Sequence, residues 1–172
     1  MARCRECAGR RLAFASARSA VAYDLAAKAF VSAWKERGLR GLAREASDVV
    51  AEVVPRPRTD TITFVPPDPD RSLKRGHHPA ETLARALASR WELAADKLLV
   101  RPRPSPPQRG LGLADRRRNV RGAFRADRRV PTRVTLVDDV YTSGATAAAA
   151  ASALRKAGAR HVDVITFARA VR

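Results

Sequence analysis

Val134-Thr135-Leu136-Val137-Asp138-Asp139-Val140-Tyr141-Thr142-Ser143-Gly144-Ala145-Thr146 is the stretch that decides the fold. Its first four residues are the β-branched and aliphatic types that fill a buried strand. Two adjacent acids stop that run. Hydroxyl residues and a glycine then lead into an Ala-rich helix, expected from about Ala145 to Ala157 and capped by Gly158. At the start of a helix the first backbone N–H groups have no intrahelical acceptor, and the helix dipole adds partial positive charge. Thr142 to Thr146 therefore read as a cradle for a phosphate dianion, with Gly144 allowing close approach and the hydroxyls of Thr142, Ser143 and Thr146 adding donors. Asp138 and Asp139 fall at the strand's C-terminal end, where open parallel sheets bind their ligands. A carboxyl pair there suits the vicinal hydroxyls of a ribose or a hydrated Mg²⁺.

The pattern outside this stretch alternates helix and strand. Asp24 is a candidate N-cap for a helix carrying Leu25, Ala29, Phe30 and Trp34. Beyond Gly38, the residues Leu39, Leu42, Ala46, Val49, Val50 and Val53 fall on one helical face, ended by Pro55 and Pro57. A strand is expected over Thr61–Val65, a helix over Pro79–Arg90, a short strand around Lys97–Val100 and a last strand over Val162–Phe167. Strand, helix and strand in succession predict an α/β fold: a parallel sheet flanked by helices, with an N-terminal helical extension. Residues 1–20 read as a basic, Cys-containing head and 21–172 as the main domain.

The chain has 172 residues, with 34 Lys+Arg against 17 Asp+Glu and a formal net charge of +17. That balance excludes a binder of polycations and favours a polyanionic partner. Arg outnumbers Lys 29 to 5, and 34 Ala accompany them, so part of the excess is compositional bias. The segment 101–133 holds 11 Arg and 2 Asp, more than half the net charge, with four prolines between 102 and 107. Such a stretch without periodicity reads as functional or mobile. Within it, Arg116, Arg117, Arg118 and Asn119 suit either a flap over a phosphorylated ligand or a nucleic-acid patch, because the guanidinium fork matches phosphate. Phe124 reads as a core anchor, and His77 and His78 as an exposed turn. No apolar run is long enough to cross a membrane, and the start has no secretory h-region. The Arg- and Ala-rich stretch up to Tyr23 runs into helical periodicity, unlike a transit peptide. The expected compartment is cytoplasmic.

The hydrophobic strand, Asp138-Asp139 and Thr142-Ser143-Gly144-Ala145-Thr146 resemble the motif with which type I phosphoribosyltransferases bind 5-phosphoribosyl-1-pyrophosphate (PRPP). Further matches resemble the competence-associated ComF family: Tyr23 and Trp34-Lys35-Glu36-Arg37-Gly38; Leu73-Lys74-Arg75-Gly76 before Ala80-Glu81-Thr82-Leu83-Ala84; and Gln108, Leu113, Arg116-Arg117-Arg118-Asn119-Val120 and Ala123-Phe124. His77-His78-Pro79 departs from that family's Phe-Asn-Gln. The resemblance implies a phosphoribosyltransferase-like domain binding PRPP with Mg²⁺. Asp138 and Asp139 would orient the ribose, the Thr142–Thr146 loop would hold the 5′-phosphate, and Val140 and Tyr141 would complete the PRPP-binding stretch. Lys74, Arg75 and Gly76 would form the pyrophosphate loop, with Lys74 and Arg75 joining Asp138 and Asp139 as the catalytic set. It implies ribosyl transfer with pyrophosphate release, in competence and DNA uptake or in nucleotide metabolism, and a competence helicase as partner. The alternative is a non-catalytic module that handles single-stranded DNA through the Arg-rich segment. Family members begin with a four-Cys zinc lobe. Here Cys4-Arg5-Glu6-Cys7 offers two of four tetrahedral ligands, the remnant of such a lobe or a pair of free thiols.

Overall fold

The computed structural model describes residues 12–36, 39, 41–68, 77–102 and 122–170. In chain order the elements are β1 (Ser16–Ala22), α1 (Leu25–Glu36), α2 (Leu42–Val53), β2 (Thr61–Phe64), α3 (Pro79–Trp91), β3 (Leu99–Val100), β4 (Arg125–Ala126), β5 (Arg133–Tyr141), α4 (Ala145–Lys156) and β6 (His161–Arg169). Four strands form one sheet in the order β1-β6-β5-β2, and every pairing in it is parallel. Strands β3 and β4 make a separate antiparallel pair that leans on α4. No described helix is long and apolar enough to cross a membrane.

Helix boundaries follow local chemistry. The Asp24 carboxylate accepts the Ala27 N–H at 2.8 Å, capping α1 as its sequence predicts. Val54, the residue before Pro55, is extended and closes α2, because proline disfavours the helical conformation in its predecessor. Pro79 opens α3 at a position where its missing N–H costs nothing.

Alternation along the strands sends their side chains to two faces. Val137, Ile165 and Phe167 meet α1, α2 and α3 around the fully buried Trp34, Leu83 and Leu87. Val134, Leu136, Val162 and Val164 meet the alanines and Leu154 of α4, together with Phe124 and Val130. The alanine face of α4 lets that helix lie close to the sheet. Large anchors are few, as the aromatic content of 5% requires.

The parallel sheet flanked by helices is as expected. The first strand is not. Ser16–Ala22 lies on the edge of the sheet beside β6 and crosses the boundary at residue 20, where the sequence suggests a head giving way to helix. Its residues are mostly Ala and Ser, poor strand formers, so the conformation comes from its neighbour. Ser16 Oγ donates to Asp163 at 2.5 Å, and Ser19 Oγ lies 2.6 Å from Thr166 Oγ1. The short strand near Val100 is also redirected, since Leu99–Val100 pairs with Arg125–Ala126 instead of joining the main sheet.

Candidate phosphate and ribose site

Strand β5 runs on to Tyr141, so Asp138 and Asp139 lie within the strand rather than beyond it. As neighbours on a strand they turn to opposite faces. Asp138 lines a small recess at the start of α4 with Tyr141, Thr142, Gly144, Thr146 and Thr166. Asp139 meets α1, where Lys35 Nζ lies 2.7 Å from its Oδ2. The Asp138 Oδ1 also accepts the Asp139 N–H at 2.9 Å. Poor solvation, reinforced by the adjacent Asp139 charge, pushes the Asp138 carboxyl up to about 7. Lys35, the Asp139 N–H and Arg101 oppose that rise without cancelling it. The Asp138 carboxyl therefore keeps its proton to a higher pH than an ordinary carboxyl, while Asp139 is paired with Lys35.

The loop after β5 is shaped by Tyr141. Gly144 sits at φ 70°, ψ 5°, in the left-handed region. A Cβ there would lie 2.6 Å from Tyr141 Cζ, with Oη nearer still. Glycine is thus required both for the conformation and for the tyrosine ring above it. That ring packs edge-on to Phe14, with centroids 6.4 Å apart, and the Arg169 guanidinium covers it at 4.9 Å. Helix α4 begins at Gly144 with no side-chain cap and no acid in its first turn. The nearest hydroxyl, Ser143 Oγ, is 3.4 Å from the Ala145 N–H. Helices α1 and α3, in contrast, are capped by Asp24 and His78. An uncapped helix start beside three hydroxyl residues has the donors to receive an anion.

Three side chains at this edge escape sequence reasoning about roles. Lys35 is brought by the last turn of α1. Arg101, just past β3, pairs with Asp68 at 3.3 Å and covers the Phe124 ring at 5.4 Å. Both members of that pair are about nine-tenths buried. His78 overturns the expectation of an exposed turn. Its Nδ1 accepts the Glu81 N–H at 2.9 Å, its ring lies 5.5 Å from that of Phe64, and burial lowers its pKa below 6.5 against the pull of Glu81 and Asp139. His77 is likewise engaged, its Nε2 lying 2.7 Å from the Trp34 carbonyl oxygen. Only the start of the Ala80-Glu81 pattern hints at a cap in the sequence, and nothing there indicates the tertiary contacts.

The structure gathers Asp138, Asp139, Val140, Tyr141, Thr142, Ser143, Gly144, Ala145 and Thr146 at one sheet edge. Lys74, Arg75 and Gly76 lie outside the described residues, as do Arg116, Arg117, Arg118, Asn119, Cys4 and Cys7. The described flanks of residues 69–76 are Asp68, paired with Arg101, and His77, beside the end of α1. Phe124 is a buried anchor, as expected. Among the described residues no three His, Cys, Asp or Glu side chains form a metal-binding group.

The chain is an α/β protein whose parallel sheet carries a carboxyl pair and a helix start at one edge. No family model matches the chain. It is similar to competence protein F of Haemophilus influenzae, 37% identical over 106 residues, which is 58% of this chain and 46% of that protein. It is also similar to the DNA utilization protein YhgH of Escherichia coli O157:H7, 35% identical over 113 residues, 64% of this chain and 49% of that one. The Salmonella typhi protein of the same name is 34% identical over 115 residues, 66% of this chain and 51% of that one. The chain is thus similar to these competence and DNA utilization proteins over part of their length, and it spans about half the length of the curated relatives it matches. A solved structure, TT1426 from Thermus thermophilus, superposes with a TM-score of 0.44 at 19% identity, covering 76% of this chain and 84% of that one.

Proposed function

We propose that the edge formed by β5 and the start of α4 binds PRPP with Mg²⁺, and that the protein serves DNA utilisation through this sugar-phosphate site. The observation that carries this reading is the uncapped start of α4 directly after two strand-end carboxyls, one of them pushed up to about 7. The N–H groups at the start of α4 and the hydroxyls of Thr142, Ser143 and Thr146 donate to the 5′-phosphate. Asp138 and Asp139 accept the ribose hydroxyls. Mg²⁺ carried in with the ligand would favour the ionised form of the carboxyl pair and neutralise developing charge on the pyrophosphate.

In the transferase reading, the bond from C1 to the pyrophosphate oxygen breaks as a nitrogen nucleophile attacks C1. The positive charge that develops on the ring passes the carboxyl pair, and the electron pair leaves with pyrophosphate, which Lys74 and Arg75 receive. The homologues' names, competence protein F and DNA utilization protein, support placing such a site in the handling of DNA.

Calorimetric titration of PRPP with and without Mg²⁺ tests the site. Saturable, Mg²⁺-dependent binding is expected, and it should be lost in Asp138→Asn/Asp139→Asn. No binding to the wild-type protein, or unchanged binding in that variant, refutes the assignment.

A second reading, single-stranded DNA binding, has its own support at the opposite edge of the sheet. Arg129, Arg155, Lys156 and Arg160 are exposed around the turn from α4 to β6, and none has an acidic partner among the described residues. The Arg155 Nη1 is spent on the Arg160 carbonyl at 2.6 Å, which leaves the rest of its fork for phosphate.

A further inference from the structure

Lys35 is the cation the sequence gives no reason to place at this edge, and its surroundings are those of a binding group. Its side chain is 23% exposed, and that of its carboxylate partner Asp139 14%. An ammonium has three N–H donors. Among the described residues Asp139 Oδ2 is its one polar partner, at 2.7 Å, so two donors are left. Burying a charged donor group with donors unspent costs free energy unless a ligand completes them.

The end of α1 is also held in place. The Trp34 carbonyl meets His77 Nε2 at 2.7 Å, and His78, the next residue, caps α3 within electrostatic reach of Asp139. Lys35 is thus anchored on the α1 and α3 face of β5, while the phosphate cradle lies on the α4 face. A basic residue in the last turn of a helix also complements the helix dipole. That effect needs no carboxylate partner and no burial, so it leaves both unexplained.

We propose that Lys35 is a pyrophosphate-binding residue: with one N–H on Asp139, it directs the other two at the phosphate oxygens of the 1-pyrophosphate. This rests on the reading of the β5 edge as a PRPP site. It divides the ligand between the two faces of the strand. The 5′-phosphate goes to the start of α4, the ribose hydroxyls to the carboxyl pair, and the pyrophosphate to the α1 side. Lysine suits the task as a compact point charge on a flexible stem.

The test compares two probes that share the ribose and the 5′-phosphate but differ in the pyrophosphate: PRPP and ribose 5-phosphate, each titrated with Mg²⁺. Lys35→Met keeps the length and packing of the stem. It is expected to weaken PRPP binding by about 10- to 100-fold, the loss of a charge-assisted contact. Ribose 5-phosphate should change by less than about 3-fold, and Lys35→Arg should restore most of the PRPP affinity. Equal loss of both probes would mean that Lys35 only positions Asp139, and overturns the proposal. A gain in affinity, or no change for PRPP, overturns it too. A wild-type protein that takes up neither probe overturns the reading of the site itself and this inference with it.

Discussion

Asp138→Asn should stabilise this protein, and the gain should grow with pH. The folded protein holds the Asp138 proton up to about 7, against an ordinary value of 3.8. Because the folded value is the higher one, the folded state binds the proton more tightly than the unfolded chain. The Asp138 contribution to stability is therefore greatest below 3.8, declines as pH rises towards 7, and is constant above that. At 1.36 kcal/mol for each pH unit of separation, the ionised carboxyl costs the fold about 2–4 kcal/mol at pH 8, the lower end allowing for the solvent that reaches the strand end. Asparagine has the shape of the protonated acid. Its Oδ1 keeps the Asp139 N–H, now 2.9 Å from Asp138 Oδ1, and it carries no charge. Urea unfolding of both proteins from pH 4 to pH 9 measures the difference. It should be near zero at pH 4 and reach its plateau above pH 7. His78 titrates in both proteins, so its contribution cancels. A difference that is flat with pH, or an asparagine variant less stable at pH 8, would refute the reasoning.

Gly144→Ala should cost about 3 kcal/mol, roughly 1 for the left-handed backbone and the rest for moving a buried Tyr141; a urea midpoint unchanged within error would contradict the contact. His78→Ala should cost about 1 kcal/mol at pH 8 through loss of the α3 cap. The wild-type protein should lose part of that stabilisation as pH falls below 6.5, where the unfolded histidine takes up a proton before the folded one, while His78→Asn should remove that dependence and keep the cap. If Arg155, Lys156 and Arg160 meet a phosphate backbone, changing all three to Ala should lower the slope of log affinity for oligo-dT against log salt by about 2. An unchanged slope in fluorescence anisotropy would move any DNA contact elsewhere.

Legibility in the sequence follows from how local each signal is. The β5–α4 unit is readable because one short stretch holds strand formers, acids, a glycine and a helix start in order, each with a local cause. Asp24 and Pro79 announce their helices for the same reason. Ser16–Ala22 is unreadable because nothing local favours a strand; its conformation is imposed by β6 through backbone pairing and the Ser16–Asp163 and Ser19–Thr166 contacts across 147 residues of chain. Lys35, Arg101 and His78 escape for a related reason. Each looks like an ordinary basic residue at a helix or strand end, and only the folding of α1, β3 and α3 onto one edge gives it a partner. Gly144 is a half-success: its need is legible, but the reason, the Tyr141 ring above it, is not.

The position of the two acids inside β5 has a consequence for how the site works. Had they lain in a loop, both carboxyls could have turned to the same side. On the strand they are committed to opposite faces, Asp138 to the α4 side and Asp139 to the α1 and α3 side. In the proposed site the two hydrophobic cores of the molecule would therefore meet the ligand through adjacent residues. A ligand phosphate held by Lys35 alongside its Asp139 pair would tie α1 to β5 more firmly, while His77 keeps the end of α1 attached to the segment leading into α3. That coupling runs through one ion pair and one hydrogen bond. In the ligand-bound protein, removal of the Lys35 charge should thus disturb the amide hydrogen exchange of residues 31–36 and 77–82 and leave α4 untouched. Protection changes spread evenly over α4 as well would mean that the two faces do not act separately.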